Sequence, residues 1–467
     1  MPKSVDVGGP AGSGWTVVEP PEPSHLSPAP AGPPPGPPKA GHSRSLRHLS
    51  IDISPLRTSR DFRLNFTGSL VSMFGSMITY VTIPYQVAQL THSPLAVGLL
   101  GLCELVPILI MAFVGGALAD YIDRRRLVLL SELAFTVITG VLLVNATLQR
   151  PLVWVLFLCA GLAAGIDGVQ RPALDSMIPR LIEPGQIPAA SALGSLRMNA
   201  AAVAGPAVAG LLIAAIPLPW VYAVDVATFA FSLVTLVMMR AVPPPPDADR
   251  PSLRSVLEGL QYARSRPELL GTYLVDINAM FFGMPMALFP FIADRLGGPQ
   301  VLGLLYAAPS AGAIAATLTS GWIKRVHRHG LMVVLAAAAW GAAIVGFGYA
   351  SSLWLALTML ALAGVADSIS GFFRAIIWNE TIPDHLRGRL AGIEMISYTT
   401  GPLLGNTESG LVASVFSVRT SIISGGLLCI AGTGLLALAL PAFLKYDGRQ
   451  ASAAKRAADE ARAAGRS

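Results

Sequence analysis

From about residue 64 onward the chain alternates between long apolar runs and short polar breaks. The runs are about 20–28 residues, enough at about 1.5 Å per residue to cross a hydrocarbon core about 30 Å thick. Twelve spans are predicted, near 64–90, 94–119, 127–149, 151–176, 188–216, 219–239, 268–293, 299–322, 330–350, 352–378, 389–415 and 419–443. The alternation is interrupted once, after residue 240, where AVPPPPDADRPSLRSVLEGLQYARSRPE joins a proline run to a short amphipathic helix. The pattern therefore predicts an all-α membrane protein of twelve transmembrane helices in two six-helix, pseudo-symmetric halves, 61–240 and 268–445. A central loop, 241–267, connects them. A Pro/Gly-rich and basic tail, 1–60, precedes the first span, and a polar tail, 446–467, follows the last.

Composition agrees with that pattern and narrows the classes left open. Hydrophobic residues make up 53% of the chain and charged residues 13%, about half of the roughly 25% charge of an ordinary soluble chain. Half of the charged side chains lie in three stretches, 1–66, 240–268 and 445–467. Too little polar surface remains for a cytosolic enzyme, a secreted disulfide scaffold or a disordered chain. The net charge of +6 would suggest nucleic acid in a soluble protein. Here it reads as basic loops at an anionic membrane face, with the lipid bilayer as partner and no nucleic acid. Cys103, Cys159 and Cys429 each sit in an apolar run without C-x-x-C spacing, and no metal or cofactor is expected. Residues 1–42 lack the apolar core of a signal peptide. With the N-terminus in the cytoplasm, inner loops carry fourteen Lys/Arg, and outer loops carry only Arg150, Arg295 and Arg419. This positive-inside bias places both termini in the cytoplasm.

The halves also share sequence. DSMIPRLI (175–182) ends the fourth span and NETIPDHL (379–386) ends the tenth. Gly205-Pro206 with Gly210 opens the interior of the fifth span, as Gly401-Pro402 with Gly405 does that of the eleventh. Basic loops, DRRR (123–126) and KRVHRH (324–329), follow the second and eighth spans. Parallel half-repeats of this kind mark one large class of secondary transporters.

The sharpest motif is GGALADYIDRRRL, Gly115 to Leu127. Gly115 and Gly116 permit close helix packing, Asp120 can complement a helix N-terminus, and the arginines can pair with carboxylates at helix ends. The segment resembles the first-inner-loop signature of the major facilitator superfamily, Gly-x-Leu-Ala-Asp-Arg-x-Gly-Arg-Arg, with Tyr121 and Asp123 departing from it. QLTHSPLAVGLL (89–100), GLAAGIDG (161–168) and GLLYAAPSAGAIAATLTSG (303–321) extend the resemblance over about residues 62–445. They point to the branch that holds the enterobactin exporter and multidrug and macrolide efflux proteins. The resemblance implies the major facilitator fold and a bacterial plasma (inner) membrane location. It implies a monomeric, secondary active exporter of a small amphipathic molecule, a siderophore-like metabolite or a drug, by rocker-switch alternation with proton antiport. It implies a gate at Gly116, Asp120, Arg124 and Arg125, with Asp175 facing the arginine loop. Gly205, Pro206 and Gly210 resemble the helix-packing motif of antiporters.

Charges inside spans are the remaining candidates, since each costs about 2.5–3.5 kcal/mol at mid-bilayer and needs a cavity or partner. Asp167, Arg171 and Asp175, spaced by four, form an acid–base–acid ladder on one helix face, and Arg197 lies in the next span. A carboxylate in an apolar cavity can take up and release a proton, which makes Glu104, Asp167 and Asp276 the proton-coupling candidates. Arg171, Arg197, Tyr80, Asn278 and Phe282 are the substrate-cavity candidates. The same charges can equally be buried pairs that fix packing. Glu132, Asp225, Asp367 and Glu394 rank lower, with Glu132 a possible local partner of the arginine loop. No G-x-x-x-x-G-K-[ST], H-E-x-x-H, G-x-S-x-G or TVGYG sequence occurs, which speaks against an ATPase, a hydrolase or any enzyme with those sites, and against a potassium-type channel. No catalytic residue is assigned. An uptake carrier and a non-transporting receptor on the same fold stay open.

Overall fold

A computed structural model describes residues 52–242, 261–382 and 387–449; within its helices the side chains at 113–121, 387–389, 391–393 and 395–396 are not among those described. The N-terminal tail, most of the central loop and most of the C-terminal tail lie outside these residues. Among the described residues there are helices and no strand.

The long helices are α1 (Arg60–Thr91), α2 (Pro94–Tyr121), α3 (Arg124–Thr147), α4 (Val153–Leu181), α5 (Ile187–Ala215), α6 (Leu218–Val237), α7 (Pro267–Phe282), α8 (Pro299–Leu318), α9 (His329–Gly348), α10 (Leu353–Thr381), α11 (Arg387–Val415) and α12 (Val418–Ala439). Several start on a side-chain cap: Ser59, Asp123, Ser352 and Ser417 accept from the amides of Phe62, Arg126, Leu355 and Thr420, which satisfies otherwise orphaned donors. Among the described residues eleven segments are long and apolar enough to cross a membrane, ten of them at these helices and the eleventh, Pro267–Leu296, running through α7 and past its end. The helix at the remaining position, α11, has 29 residues; Arg387, Arg389, Glu394, Asn406 and Glu408 dilute its apolar character.

The seventh predicted span, 268–293, departs from a single helix. α7 stops at Phe282, and after the turn at Gly283–Pro285 the chain resumes as the short helix Phe289–Leu296. Pro285 has no amide proton and disfavours helix at Met284. The freed backbone groups find side chains from three other helices. Trp340 Nε1 donates to Gly283 O at 3.0 Å, Ala287 N to Asn406 Oδ1 at 3.1 Å, and the Tyr306 hydroxyl to Met286 O at 3.3 Å. A broken helix is tolerated in a membrane only when such groups are satisfied by protein.

Helix neighbours repeat between the halves. α1 packs on α5 and α6, α2 on α4, and α3 on α4 and α6; α7 packs on α11 and α12, α8 on α10, and α9 on α10 and α12. Each pair in the first half thus has its counterpart six helices later. Two further contacts, α2 with α11 and α5 with α8, join the halves and exchange under the same relation.

The joints are made where helices lose their side chains. A Cβ on Gly210 would lie 2.8 Å from Gly303 Cα, and one on Gly98 would lie 3.0 Å from Gly410 Cα. Only glycine permits such backbone approach, and packing of this kind, not apolar burial, holds helices together in lipid. Both joints lie at the end of the bundle remote from the Arg124–Arg126 loop. The largest buried apolar cluster runs through them, with Ile78, Val81, Ala209 and Ile213 of the first half beside Leu302 and Leu305 of the second. Toward the arginine-rich end the same helices open out. α5 is buried at Ala201, Gly205, Ala209 and Gly210 but exposed on two faces at Ser191, Ala192, Ser195, Leu196, Met198 and Asn199. α8 is buried over Leu305–Ala308 and exposed at Thr317–Thr319.

Candidate functional site

At the closed end of the cleft a small cavity of about 50 Å³ is lined by both halves, with Tyr80 of α1 and Glu104 of α2 facing Met286, Ala287, Tyr306 of α8 and Asn406 of α11. The break in α7 supplies its floor. The Tyr80 hydroxyl reaches Met286 Sδ at 3.5 Å, and the Tyr80 and Tyr306 rings meet edge-on with centroids 5.7 Å apart. Glu104 has no hydrogen bond or ion pair among the described residues. Tyr80 and Glu104, separate candidates in the sequence, therefore share one wall.

A second cluster lies in the C-terminal half. Arg374 of α10 is ion-paired with Asp276 of α7, and its Nη2 lies 3.6 Å from Asp367 Oδ1. Ser397 of α11 donates to Asp276 Oδ2 at 3.3 Å, and Glu394 is within electrostatic reach of both Arg374 and Asp276. Three carboxylates thus surround one guanidinium. Asp276 and Arg374 are 7% and 11% exposed, whereas Asp367 is 44% exposed. Asp276 is not the lone carboxylate its sequence context suggests. Arg374 escaped the sequence reading; its signal is the spacing of seven from Asp367, two turns along one face.

The ladder on α4 meets the second half at Tyr398 of α11. Arg171 lies within electrostatic reach of Asp167 and Asp175 on its own helix and of Tyr398 across the boundary between halves. Arg197 of α5 lies near Asp175, and its Nε is buried without a partner. Asp167 and Asp367 each occupy the fifteenth position of a 29-residue helix, so the repeat supplies an acid at one height on both sides.

Other candidates resolve into packing. Asn278, expected in the cavity, turns to α12 instead, its amide donating to Cys429 O at 2.9 Å and Thr433 Oγ1 at 3.2 Å. Phe282 packs edge-on against Phe281, with centroids 4.8 Å apart, and belongs to the rim of the large apolar cluster. Glu132 does not meet the arginine loop; it accepts from Gln170 at 2.9 Å and Ser72 at 3.3 Å. Asp225, fully buried, accepts from Thr79, from Thr228 at 3.1 Å and from Thr139 at 3.4 Å.

In the loop segment, Gly116 and Asp120 fall where side chains are outside the described residues. Arg125 donates through Nε and Nη2 to the carbonyls of Leu236 and Val237, both at 2.7 Å. It thereby caps the C-terminal end of α6, where a cation complements the helix dipole. The Arg124 amide donates to Val242 O at 3.2 Å. The packing expected of Gly205, Pro206 and Gly210 has a geometric counterpart: a Cβ on Gly205 would meet Met77 Cβ at 2.5 Å, and Gly210 backs onto Gly303. The described residues contain no cluster of three or more metal-ligating side chains.

Comparison with known proteins gives a consistent picture. The family described as transmembrane secretion effector matches residues 50–460. The enterobactin exporter EntS of Escherichia coli O1:K1 / APEC is 28% identical over 389 residues, covering 83% of this chain and 93% of that protein. Among solved structures, a POT family transporter in complex with 5-aminolevulinic acid superposes with a TM-score of 0.66 at 11% identity, covering 82% of this chain and 97% of its own. The nucleoside transporter NupG gives 0.61 at 14%, covering 83% and 100%. A bacterial homologue of the lysosomal transporter Spinster, inward-facing and unoccupied, gives 0.62 at 14%, covering 82% and 95%. These structural likenesses concern the fold.

Proposed function

Because the chain belongs to the transmembrane secretion effector family of major facilitator transporters, and is therefore a multi-pass membrane transporter and not an enzyme, we propose that it exports a small amphipathic molecule in exchange for protons. The observation that carries this reading is the single-ended closure. The halves touch through glycines at one end and separate at the other, with charged side chains on both walls of the cleft. The loop charges assign the open end to the cytoplasm. A cleft that opens inward, and is sealed outward by two symmetry-related joints, is one of the two states that alternating access requires. Rocking about those joints reverses the opening, and the Arg124–Arg126 loop, clamped to the end of α6, acts in the closure of the cytoplasmic end.

The charges give the exchange its chemistry. Glu104 carries a carboxylate without an ion pair among the described residues, in a site lined by tyrosine rings and a methionine. Binding a proton there removes an uncompensated charge from a low-dielectric site. Asp276 offers a second route. Protonation of Asp276 releases Arg374 toward Asp367 and Glu394 and changes what the cleft presents to substrate. Asp167 stands opposite as a third acid. Aromatic and methionine surfaces suit a large amphipathic solute, and the likeness to the enterobactin exporter makes a siderophore-like metabolite the first substrate to try.

The test has two parts. Deletion of the gene should deplete one metabolite from the medium and accumulate it in the cell; that compound, added to inverted vesicles, should drive proton release. Export that persists unchanged without a proton gradient overturns the antiport, and compound uptake down the same gradient overturns the direction.

A further inference from the structure

A groove on the outside of the first half has the chemistry of a lipid site. Its volume is about 470 Å³ and its lining is almost wholly apolar, with α2, α3 and α4 as its three sides. Gly161 and Gly165 of α4 are buried at its floor, while Val106, Ile110 and Leu130 on its flanks are each more than half exposed. The two glycines let α4 lie close to α2, a Cβ on Gly161 meeting Cys103 at 3.2 Å and one on Gly165 meeting Pro107 at 3.3 Å. The exposure places the groove on the bilayer side, away from the cleft between the halves.

The groove does not end in the apolar layer. Leu130 also lines a hollow of about 310 Å³ formed with Leu129, Arg125 and Arg126 at the start of α3. The two hollows share Leu130, and Arg126, Leu130 and Ala134, spaced by four, form one stripe along α3 from basic mouth to apolar trough. At the mouth Arg126 is exposed. Arg125 commits Nε and Nη2 to the end of α6 and keeps Nη1. The acid beside them, Asp123, is engaged as the helix cap, its Oδ1 accepting from Arg126 N at 3.1 Å. The backbone amides at the start of α3 add positive dipole.

We propose that this groove is a specific site for an anionic glycerophospholipid. One acyl chain lies over Gly161 and Gly165, and the phosphate sits between Arg125 and Arg126. The site joins the bilayer to the loop that clamps α6, so its occupant stiffens that loop.

The experiment uses the full-length protein reconstituted in bilayers of equal phosphatidylglycerol and phosphatidylethanolamine, extracted gently, with retained lipid counted by native mass spectrometry. Wild type should retain one phosphatidylglycerol in preference to phosphatidylethanolamine. Arg126→Gln should lower that preference about five-fold, the factor expected for one basic side chain near an anionic surface. Ala134→Phe, which fills the trough, should abolish retention of either lipid while the protein elutes and melts as wild type. Should Ala134→Phe fail to fold, Arg126→Gln decides alone. Inorganic phosphate at millimolar concentration should leave the ratio unchanged, since it lacks the acyl chain. Equal retention of both lipids by wild type, an unaltered ratio in Arg126→Gln, retention by a well-folded Ala134→Phe, or displacement by inorganic phosphate overturns the proposal.

Discussion

The two halves share their helix neighbours, and apart from the ladder on α4 each holds a group of acids in its own way. In the first half, Glu132 and Asp225 have no cation among the described residues. Glu132 rests on Ser72 and Gln170, and Asp225 on three threonine hydroxyls from α1, α3 and α6. In the second half, Asp276, Asp367 and Glu394 gather about Arg374. Neutral donors converging from several helices hold a carboxylate in one place. One guanidinium near three carboxylates has more than one acid to pair with, and in the proposed exchange a proton on Asp276 would shift that pairing. The same scaffold thus holds Glu132 and Asp225 in a fixed arrangement of neutral donors, and holds the acids about Arg374, beside the broken α7, on a cation that they share.

The strongest way to break this contrast is Arg374→Ala. It leaves three carboxylates facing one another without a cation, and removing one partner of a buried pair costs about 3–5 kcal/mol. Thermal unfolding in detergent should show that loss, and adding Asp276→Asn should recover part of it. A variant that melts like wild type would mean the guanidinium does not hold the cluster. The next largest effect falls on the joints. Gly210→Leu inserts a side chain where Gly303 backbone lies 2.7–2.8 Å from a Cβ. Overpacking of this kind costs about 1–3 kcal/mol. The sealed end should open, read as labelling of a cysteine placed at Ser409 by a membrane-impermeant reagent. Unchanged labelling together with unchanged stability removes the joint from the mechanism.

Much of the architecture was legible in the chain because lipid leaves so few choices. Backbone must be satisfied within helices, and helices must be apolar for about 20 residues. The repeated Gly-Pro and basic-loop signatures then give two halves. The break in α7 was less legible: the Met284-Pro285 step is visible, but the side chains that make it tolerable come from α8, α9 and α11. Arg374 was missed for a related reason. It follows two phenylalanines near the basic end of its span, where a long side chain can reach the interface unaided, and its partners lie on α7 and α11. Asn278 shows the converse error. The sequence offers it as a substrate-cavity candidate, but which way it faces around α7 is set by α12, whose Cys429 carbonyl and Thr433 hydroxyl take its amide and which its local sequence does not encode.

Asp225 sharpens the contrast from the static side. Asp225→Asn keeps the size of the side chain but turns two acceptor oxygens into one acceptor and one donor, opposite hydroxyls that now donate. The loss should be about 1–2 kcal/mol in unfolding free energy, with the pH profile of transport unchanged. Asp276→Asn should flatten that profile, with a smaller effect on melting than Arg374→Ala. A flattened profile in Asp225→Asn instead would place an exchangeable proton on Asp225 itself and remove the contrast with Arg374.

The smallest effect is expected where the second half is itself static. Asn278 ties α7 to α12 through two hydrogen bonds, beside Gly432, where a Cβ would come within 2.0 Å of the amide oxygen. Asn278→Ala deletes both bonds and leaves the Cys429 carbonyl and the Thr433 hydroxyl to find other partners. Net loss should be about 1 kcal/mol, seen as a modest fall in melting temperature, with KM and pH profile as in wild type. A raised KM at unchanged stability would return Asn278 to the cavity, and would mean that α7 turns about its axis during the cycle and does not simply rock with its half.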